Sequence, residues 1–196
     1  MAPSIVRDMQ GGAKSERGLR SSAVPPIRSA RLDLVSLDVR SIEMILADRI
    51  EDAELRLEMR LPPDLGMRAA ALLQVRLADL RSVPEAQAWL LRLVAVRTPV
   101  TRMVGFIGFH GPPSGNREVE IGYEILASDR RRGYATEAAS AMLEWATCEH
   151  GIHAFLASVS PTNAASLGVV AKLGFHPNRS RHDPVDGAEL VFRLDR

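Results

Sequence analysis

Arg130-Arg131-Arg132-Gly133-Tyr134-Ala135-Thr136-Glu137-Ala138 is the stretch on which the reading of this chain turns. Before it, Val119-Glu120-Ile121-Gly122-Tyr123-Glu124-Ile125 alternates apolar and polar side chains, the period of a strand. After it, Ala135, Ala138, Ala139, Met142, Leu143 and Ala146 recur at helical spacing, which predicts a helix from about Tyr134 to Cys148, ended by Gly151. A strand thus feeds a basic glycine turn, and the turn feeds a helix. The first N–H groups of a helix have no internal partner and carry the positive end of its dipole. A pyrophosphate can sit on them. Gly133 and the small Ala135 leave the backbone open to approach, and Thr136 adds a hydroxyl donor. A basic, capped surface helix is the other reading of the same residues.

Working outward, the chain predicts a mixed α/β order of strand, helices, three strands, helix, strand, helix, strand. Leu32 and Leu34 alternate with polar neighbours in a first strand, and Asp38 caps a helix through Ile42, Ile45 and Leu46. A polar helical stretch follows to Arg60 and is broken by Pro62-Pro63, a second helix covers Arg68 to Leu80, and Pro84 opens a short one. Trp89 to Thr98 and Met103 to His110 read as strands joined at Thr98-Pro99. His153 to Ser160 is the next strand; Pro161-Thr162-Asn163 opens a helix ending at Gly174; Glu189 to Leu194 is the last strand. Residues 1–27, with Gly11-Gly12, Ser21-Ser22 and Pro25-Pro26, read as a disordered tail ahead of one domain over 28–196.

Composition bounds the function. At 196 residues and 46% hydrophobic, the chain can bury one sizeable core. No run of 18 apolar residues predicts a membrane span, and the N-terminus lacks the apolar region of a secretory signal. The formal charge of +1 gives no global pull toward nucleic acid, and no membrane partner is expected. Only Lys14 and Lys172 are lysines, so the basic groups are nearly all arginine. The single cysteine, Cys148, cannot form an internal disulfide; it reads as a partly buried helix residue, and a cytoplasmic location follows.

The nine residues at Arg130 to Ala138 resemble the Gln/Arg-x-x-Gly-x-Gly/Ala signature of the GNAT superfamily of acetyl-CoA-dependent N-acetyltransferases, with Arg130, Gly133 and Ala135 in its three fixed places. The surroundings, Glu120-Ile121-Gly122-Tyr123, Trp145-Ala146, Asn163-Ala164-Ala165-Ser166 and Lys172-Leu173-Gly174-Phe175, look like the ribosomal-protein N-terminal acetyltransferase (RimJ/RimL-like) branch. The resemblance spans about residues 28 to 194. It implies the GNAT fold: a mixed central β-sheet with splayed parallel strands 4 and 5, here Val119–Ile125 and His153–Ser160, flanked by helices.

The same resemblance implies acetyl-CoA as co-substrate. Its pantetheine arm would pair with the backbone of Ile125, Leu126 and Ala127, its pyrophosphate would meet Arg130, Arg131, Arg132, Gly133, Tyr134, Ala135 and Thr136, Asn163 would bind the pantetheine amide, and Ser166 would lie near the sulfur. Arg131 departs from the pattern, because many relatives carry glycine there; it either adds a phosphate contact or alters the turn. The acceptor would be a primary amine, on a protein N-terminus or a small molecule. Homodimers are frequent in the family.

Acetyl transfer needs a neutral amine, and a backbone N–H near Ile125 to Ala127 can stabilise the developing oxyanion. Glu120 and Glu124 share one face of their strand, and Glu120 is the first candidate for general base, against a plain structural carboxylate. Ser166 is the candidate acid toward the leaving thiolate, against a hydroxyl bonded to its own helix. Tyr123, on the other face, is expected in the core. The segment Arg181 to Glu189 can border the amine site or form only a hairpin turn. No metal site is expected, since His150 and His153 lack a ligand pattern, and Gly105, Gly108 and Gly111 form no dinucleotide fingerprint. Ser166 has no glycine elbow, so a serine hydrolase is not expected. A non-catalytic acyl-CoA-binding or sensory domain on the same fold is the alternative to an enzyme.

Overall fold

Eight strands form one sheet in the order β1-β2-β3-β4-β5-β6-β8-β7 in the computed structural model, which describes residues 24–113, 115–183 and 187–196. The strands are β1 (Ile27–Arg28), β2 (Leu32–Ser36), β3 (Arg92–Val96), β4 (Arg102–Phe109), β5 (Glu118–Ile125), β6 (Ala154–Val159), β7 (His176–Asp183) and β8 (Gly187–Asp195). Helices α1 (Val39–Leu46), α2 (Ile50–Leu57), α3 (Leu65–Arg68) and α4 (Ala70–Ser82) fill the stretch between β2 and β3, with a 3-10 turn at Pro84–Ala88. The helix α5 (Tyr134–His150) joins β5 to β6, and α6 (Ala164–Lys172) joins β6 to β7.

Local chemistry sets these boundaries. Asp38 accepts from the Ser41 N–H at 2.7 Å and caps α1 as expected, a contact contributing about 1 kcal/mol. Gly151, at φ +61°, closes α5 and donates to Thr147 O. Asn163 caps α6 by accepting from the Ser166 N–H at 3.1 Å. The helix expected at Arg68 to Leu80 is broken at Ala69 into α3 and α4.

The sheet separates two apolar layers. On one face Val94, Val104, Ile107, Ile121 and Phe155 pack with Ala138, Ala139, Met142, Leu143 and Ala146 of α5. On the other, Leu93, Ala95, Met103 and Phe106 pack with Ile42 and Ile45 of α1, Leu65 of α3 and Leu73 of α4. β3 is buried along its whole length because helices cover both of its faces. Arg92, fully buried in it, donates to the carbonyls of Pro25, Leu34 and Ala88 and lies over the Trp145 ring.

Three expectations are corrected. Ile27, placed in the tail, is a buried residue of β1 paired with Leu34, so the folded part extends further upstream than residue 28; residues 1–23 lie outside the described residues. Cys148 sits on α5 but is exposed, because the buried stripe of that helix runs through Ala139, Met142, Leu143 and Ala146. β7 is a strand that the sequence does not announce: as an outer strand paired only with β8 it carries His, Asn, Arg and Ser without apolar alternation, and its ladder is irregular between Pro177 and Arg179. It makes Arg181 to Glu189 a hairpin, whose turn residues 184–186 lie outside the described residues.

Neighbouring strands are antiparallel except β5 and β6, which are parallel and pair only over Glu118–Glu120 and Ala154–Leu156. Past that point β5 runs on to Ile125 and β6 to Val159 unpaired with each other. These are the strands that sequence reading counts as fourth and fifth, displaced by one through the addition of β1.

Candidate active site

The divergence of β5 from β6 opens one backbone edge. On the β4 side, His110 N–H donates to Glu120 O at 2.9 Å and Leu126 N–H to Val104 O at 2.9 Å, and the residues between them follow the same antiparallel register. Backbone groups alternate direction along a strand, so those of Ile121, Tyr123 and Ile125 point the other way, toward the gap. Ile125 O accepts from Arg130 Nε at 3.0 Å. Leu126 is taken on both sides, because its carbonyl also accepts from the Asp129 N–H at 2.8 Å. Of the three residues expected to meet the pantetheine arm, Leu126 therefore has both its N–H and its carbonyl engaged, whereas the register turns the Ile125 N–H to the gap side.

The turn that follows is anchored from below. Asp129 is buried and takes Arg102 through both oxygens, at 2.7 and 3.0 Å. Those bonds hold its carboxyl below the usual aspartate range against the opposing effect of burial. The chain then passes through Arg131 at φ +62° and Gly133 at φ +81°. Only Gly133 occupies the left-handed region without steric cost; Arg131 sits there at a penalty of roughly 1 kcal/mol.

α5 starts at Tyr134 with no side chain capping it, so the amides of Tyr134, Ala135 and Thr136 face outward without a helical partner. The first turn's one acid, Glu137, is turned aside: it accepts from Ser29 Oγ, Arg31 N–H and Arg31 Nε at 2.7–2.8 Å, which ties the β1–β2 turn to the helix. Tyr134 is buried under Arg31, so only its amide serves the turn. The side chains of Arg130, Arg131 and Arg132 are exposed around it. Uncapped amides, a left-handed glycine and three arginines fit a pyrophosphate.

Ser166 and Asn163 stand at the start of α6. Tyr123 donates its hydroxyl to Ser166 O at 3.4 Å and packs, half-buried, against the α5-side core, as expected. Burial raises its pKa, and the contact with Ser166 lowers it by less. The Asn163 side-chain oxygen is committed to the cap. Glu120 lies on the opposite face of β5 from Tyr123, so the two residues expected to form the catalytic pair approach the gap from opposite faces of the sheet.

Glu120 is not a free base. Arg181 reaches it from β7 with Nη1 at 3.1 Å and Nη2 at 2.9 Å, one to each carboxylate oxygen, and its Nε donates to Glu189 at 2.7 Å. Burial pushes the Glu120 carboxyl up, but hydrogen bonding from the Ser158 hydroxyl and then from Arg181, with the charges of His110 and Arg181 behind them, takes it below the usual range. Glu124, on the same face, is exposed. His110 was missed as a candidate: it stands opposite Glu120, with Nδ1 3.6 Å from Oε1. The antiparallel pairing of two strands adjacent in sequence is the signal that sets the two side by side. Among the described residues, no cluster of His, Cys, Asp or Glu is placed to hold a metal ion, and no helix is long and apolar enough to cross a membrane.

Comparison with known proteins bears on this geometry. Among curated proteins, the uncharacterized N-acetyltransferase YjdG of Bacillus subtilis (strain 168) is 34% identical over 82 residues, which is 42% of this chain and 49% of that protein. The chain thus spans about half the length of the curated relatives it matches. Among solved structures, RimL, a ribosomal L7/L12 alpha-N-protein acetyltransferase in complex with coenzyme A, superposes with a TM-score of 0.62 at 16% identity, covering 87% of this chain and 97% of that one. The ribosomal-protein-S5-alanine acetyltransferase from Vibrio fischeri gives 0.60 at 12% identity, covering 87% and 96%. Both likenesses are of fold. The acetyltransferase (GNAT) domain family matches residues 38–176, most of the chain and all of the divergent strands, the glycine turn and α6. The chain belongs to the GNAT acetyltransferase family.

Proposed function

We propose that this chain transfers the acetyl group of acetyl-CoA to a primary amine by direct attack of the amine on the thioester. The observation that carries the reading is the uncapped start of α5 lying directly after the unpaired end of β5. An extended arm ending in a pyrophosphate matches that pair: strand-like edge first, anion site next. On this reading the amides of Tyr134, Ala135 and Thr136 with Arg130, Arg131 and Arg132 hold the phosphates, and the Ile125 N–H faces the thioester. Ser166 stands near the sulfur. The acceptor is an α-amine of a protein N-terminus or a small-molecule amine, and the acetyltransferase neighbours of ribosomal proteins support the first.

The test is acetyl-CoA consumption, read as free CoA release, across N-terminal peptides and small amines, beside the thermal shift that acetyl-CoA induces. Release that depends on an amine supports the enzyme. A thermal shift with no release from any amine would instead make the chain a non-catalytic acyl-CoA binder.

A further inference from the structure

On the sheet face that carries Glu120, a cavity of about 200 Å³ opens between α4 and the β4–β5 ladder. Gly122, His110 and Glu124 line it together with Arg76 from α4. Gly122 is what lets the imidazole enter: a Cβ at that position would lie 3.0 Å from His110 Nε2 and 3.6 Å from Cδ2. The ring therefore presents Nε2 to the cavity floor over Gly122, while Nδ1 faces Glu120 at 3.6 Å. That separation is too long for a hydrogen bond and short enough for Glu120 to bias the ring by charge. Half of the His110 side-chain surface remains accessible.

We propose that His110 accepts the proton of the incoming amine in this cavity, with Glu120 as the positioning carboxylate behind it and Arg181 fixing Glu120. The proposal rests on the acetyltransferase reading and names the base that reading lacks. The ammonium gives a proton to neutral Nε2, forming imidazolium. The amine lone pair then bonds to the thioester carbonyl carbon, the C–S bond breaks, and the thiolate leaves with the sulfur electron pair. The second amine proton neutralises the thiolate, and His110 returns its proton to water. Acetyl-CoA and an ammonium thus become an amide, a thiol and one released proton.

Charges on four elements face His110. Burial lowers its pKa first; Arg76 on α4 and Arg181 on β7 lower it further, and Glu120 on β5 and Glu189 on β8 oppose them. The net lowering keeps the imidazole neutral, and able to take a proton, at neutral pH. Glu120, ionised and held by a guanidinium on both oxygens, is the weaker proton acceptor.

The test combines titration with turnover on the full chain. Proton NMR should follow the His110 ring to a titration midpoint below that of an ordinary histidine. Glu120→Gln should move the midpoint down by removing the opposing negative charge, and Arg181→Gln should move it up. With acetyl-CoA and two amine probes, a Ser-initiated decapeptide and spermidine, His110→Gln should cut kcat/KM by roughly 10²-fold at neutral pH, keep the thermal shift with acetyl-CoA, and lose the acid limb of the pH profile. Added imidazole should partly restore His110→Ala. Wild-type rates and an intact acid limb in His110→Gln overturn the proposal, as does a His110 midpoint indifferent to both charge variants. Failure of the acetyltransferase reading looks different: the wild type releases no CoA with either probe although His110 still follows the charge variants, and the catalytic role falls with it.

Discussion

Arg181 on β7 and Glu120 on β5 meet in a two-point contact, Nη1 to Oε2 at 3.1 Å and Nη2 to Oε1 at 2.9 Å, across the intervening strands β6 and β8. The contact ties the outermost strand to the last paired turn of β5, just before the sheet divides. Its side chains are only partly exposed, so it is a firmer tie than a surface pair.

The pH dependence of stability should report this tie. The folded-state pKa of Glu120 lies below its ordinary value, so its contribution is present above the ordinary glutamate range and is lost as pH falls through the folded value. Glu120→Gln should therefore lower stability by about 1 kcal/mol at pH 7, with the gap to wild type closing on acidification. Chemical denaturation at a series of pH values checks it; a gap that widens in acid would show that Glu120 is not the ionised partner.

The glycine turn gives a contrast between two neighbours. Gly133→Ala should cost about 1 kcal/mol, because φ is +81° there. Arg131→Gly, which relieves a residue at φ +62°, should be at least as stable as wild type. Gly133→Glu should abolish the acetyl-CoA thermal shift by setting a carboxylate beside the phosphates. Thermal melts with and without acetyl-CoA decide all three, and an unchanged shift in Gly133→Glu would move the phosphate site elsewhere.

The elements that carry the site were legible in sequence because they have strong local signals. β5 alternates cleanly, α5 begins at a glycine turn and ends at Gly151, and Asn163 caps α6. What escaped reading is held by tertiary contact. β7 is polar apart from Pro177, and only its pairing with β8 makes it a strand. Arg181 and Glu120 are 61 positions apart, a separation that no pattern bridges without the sheet order. His110 is the last residue of the strand expected from Met103, and its role depends on the hairpin register that sets it opposite Glu120. Arg92 is a charged residue inside the strand expected from Trp89 to Thr98, and its buried position follows from three carbonyls converging from separate segments.

Truncation should find the true edge of the domain. Pro25 O accepts from Arg92 Nη1 at 3.2 Å, and Ile27 pairs with Leu34. Deleting residues 1–23 removes a stretch whose composition cannot pack a core, so the melting temperature and the acetyl-CoA shift should hold. Deleting residues 1–29 takes away β1, a carbonyl partner of Arg92 and the Ser29 hydroxyl that bonds Glu137, and should cost roughly 2 kcal/mol or more. Equal stability of the two truncations would mean that β1 contributes nothing.

Ser166 tests the other side of the gap. Its carbonyl accepts from Tyr123 and its N–H donates to the Asn163 side-chain oxygen, so the structural contacts of this residue are made by its backbone. Ser166→Ala should leave the fold and acetyl-CoA binding unchanged. If the hydroxyl protonates the departing thiolate, its loss should slow turnover, though modestly: a thiol with a pKa near 8.5 leaves fairly well without help. The expected loss is about tenfold, in kcat more than in KM, because the hydroxyl acts as charge develops on sulfur and not as the amine binds. Tyr123→Phe separates this from helix positioning, since it removes the bond to the Ser166 carbonyl and keeps the hydroxyl at position 166. A tenfold loss in Ser166→Ala with near-normal rates in Tyr123→Phe assigns the effect to the serine hydroxyl, whereas equal losses in both would assign it to the placement of α6, and a wild-type kcat in Ser166→Ala would take the residue out of the chemistry.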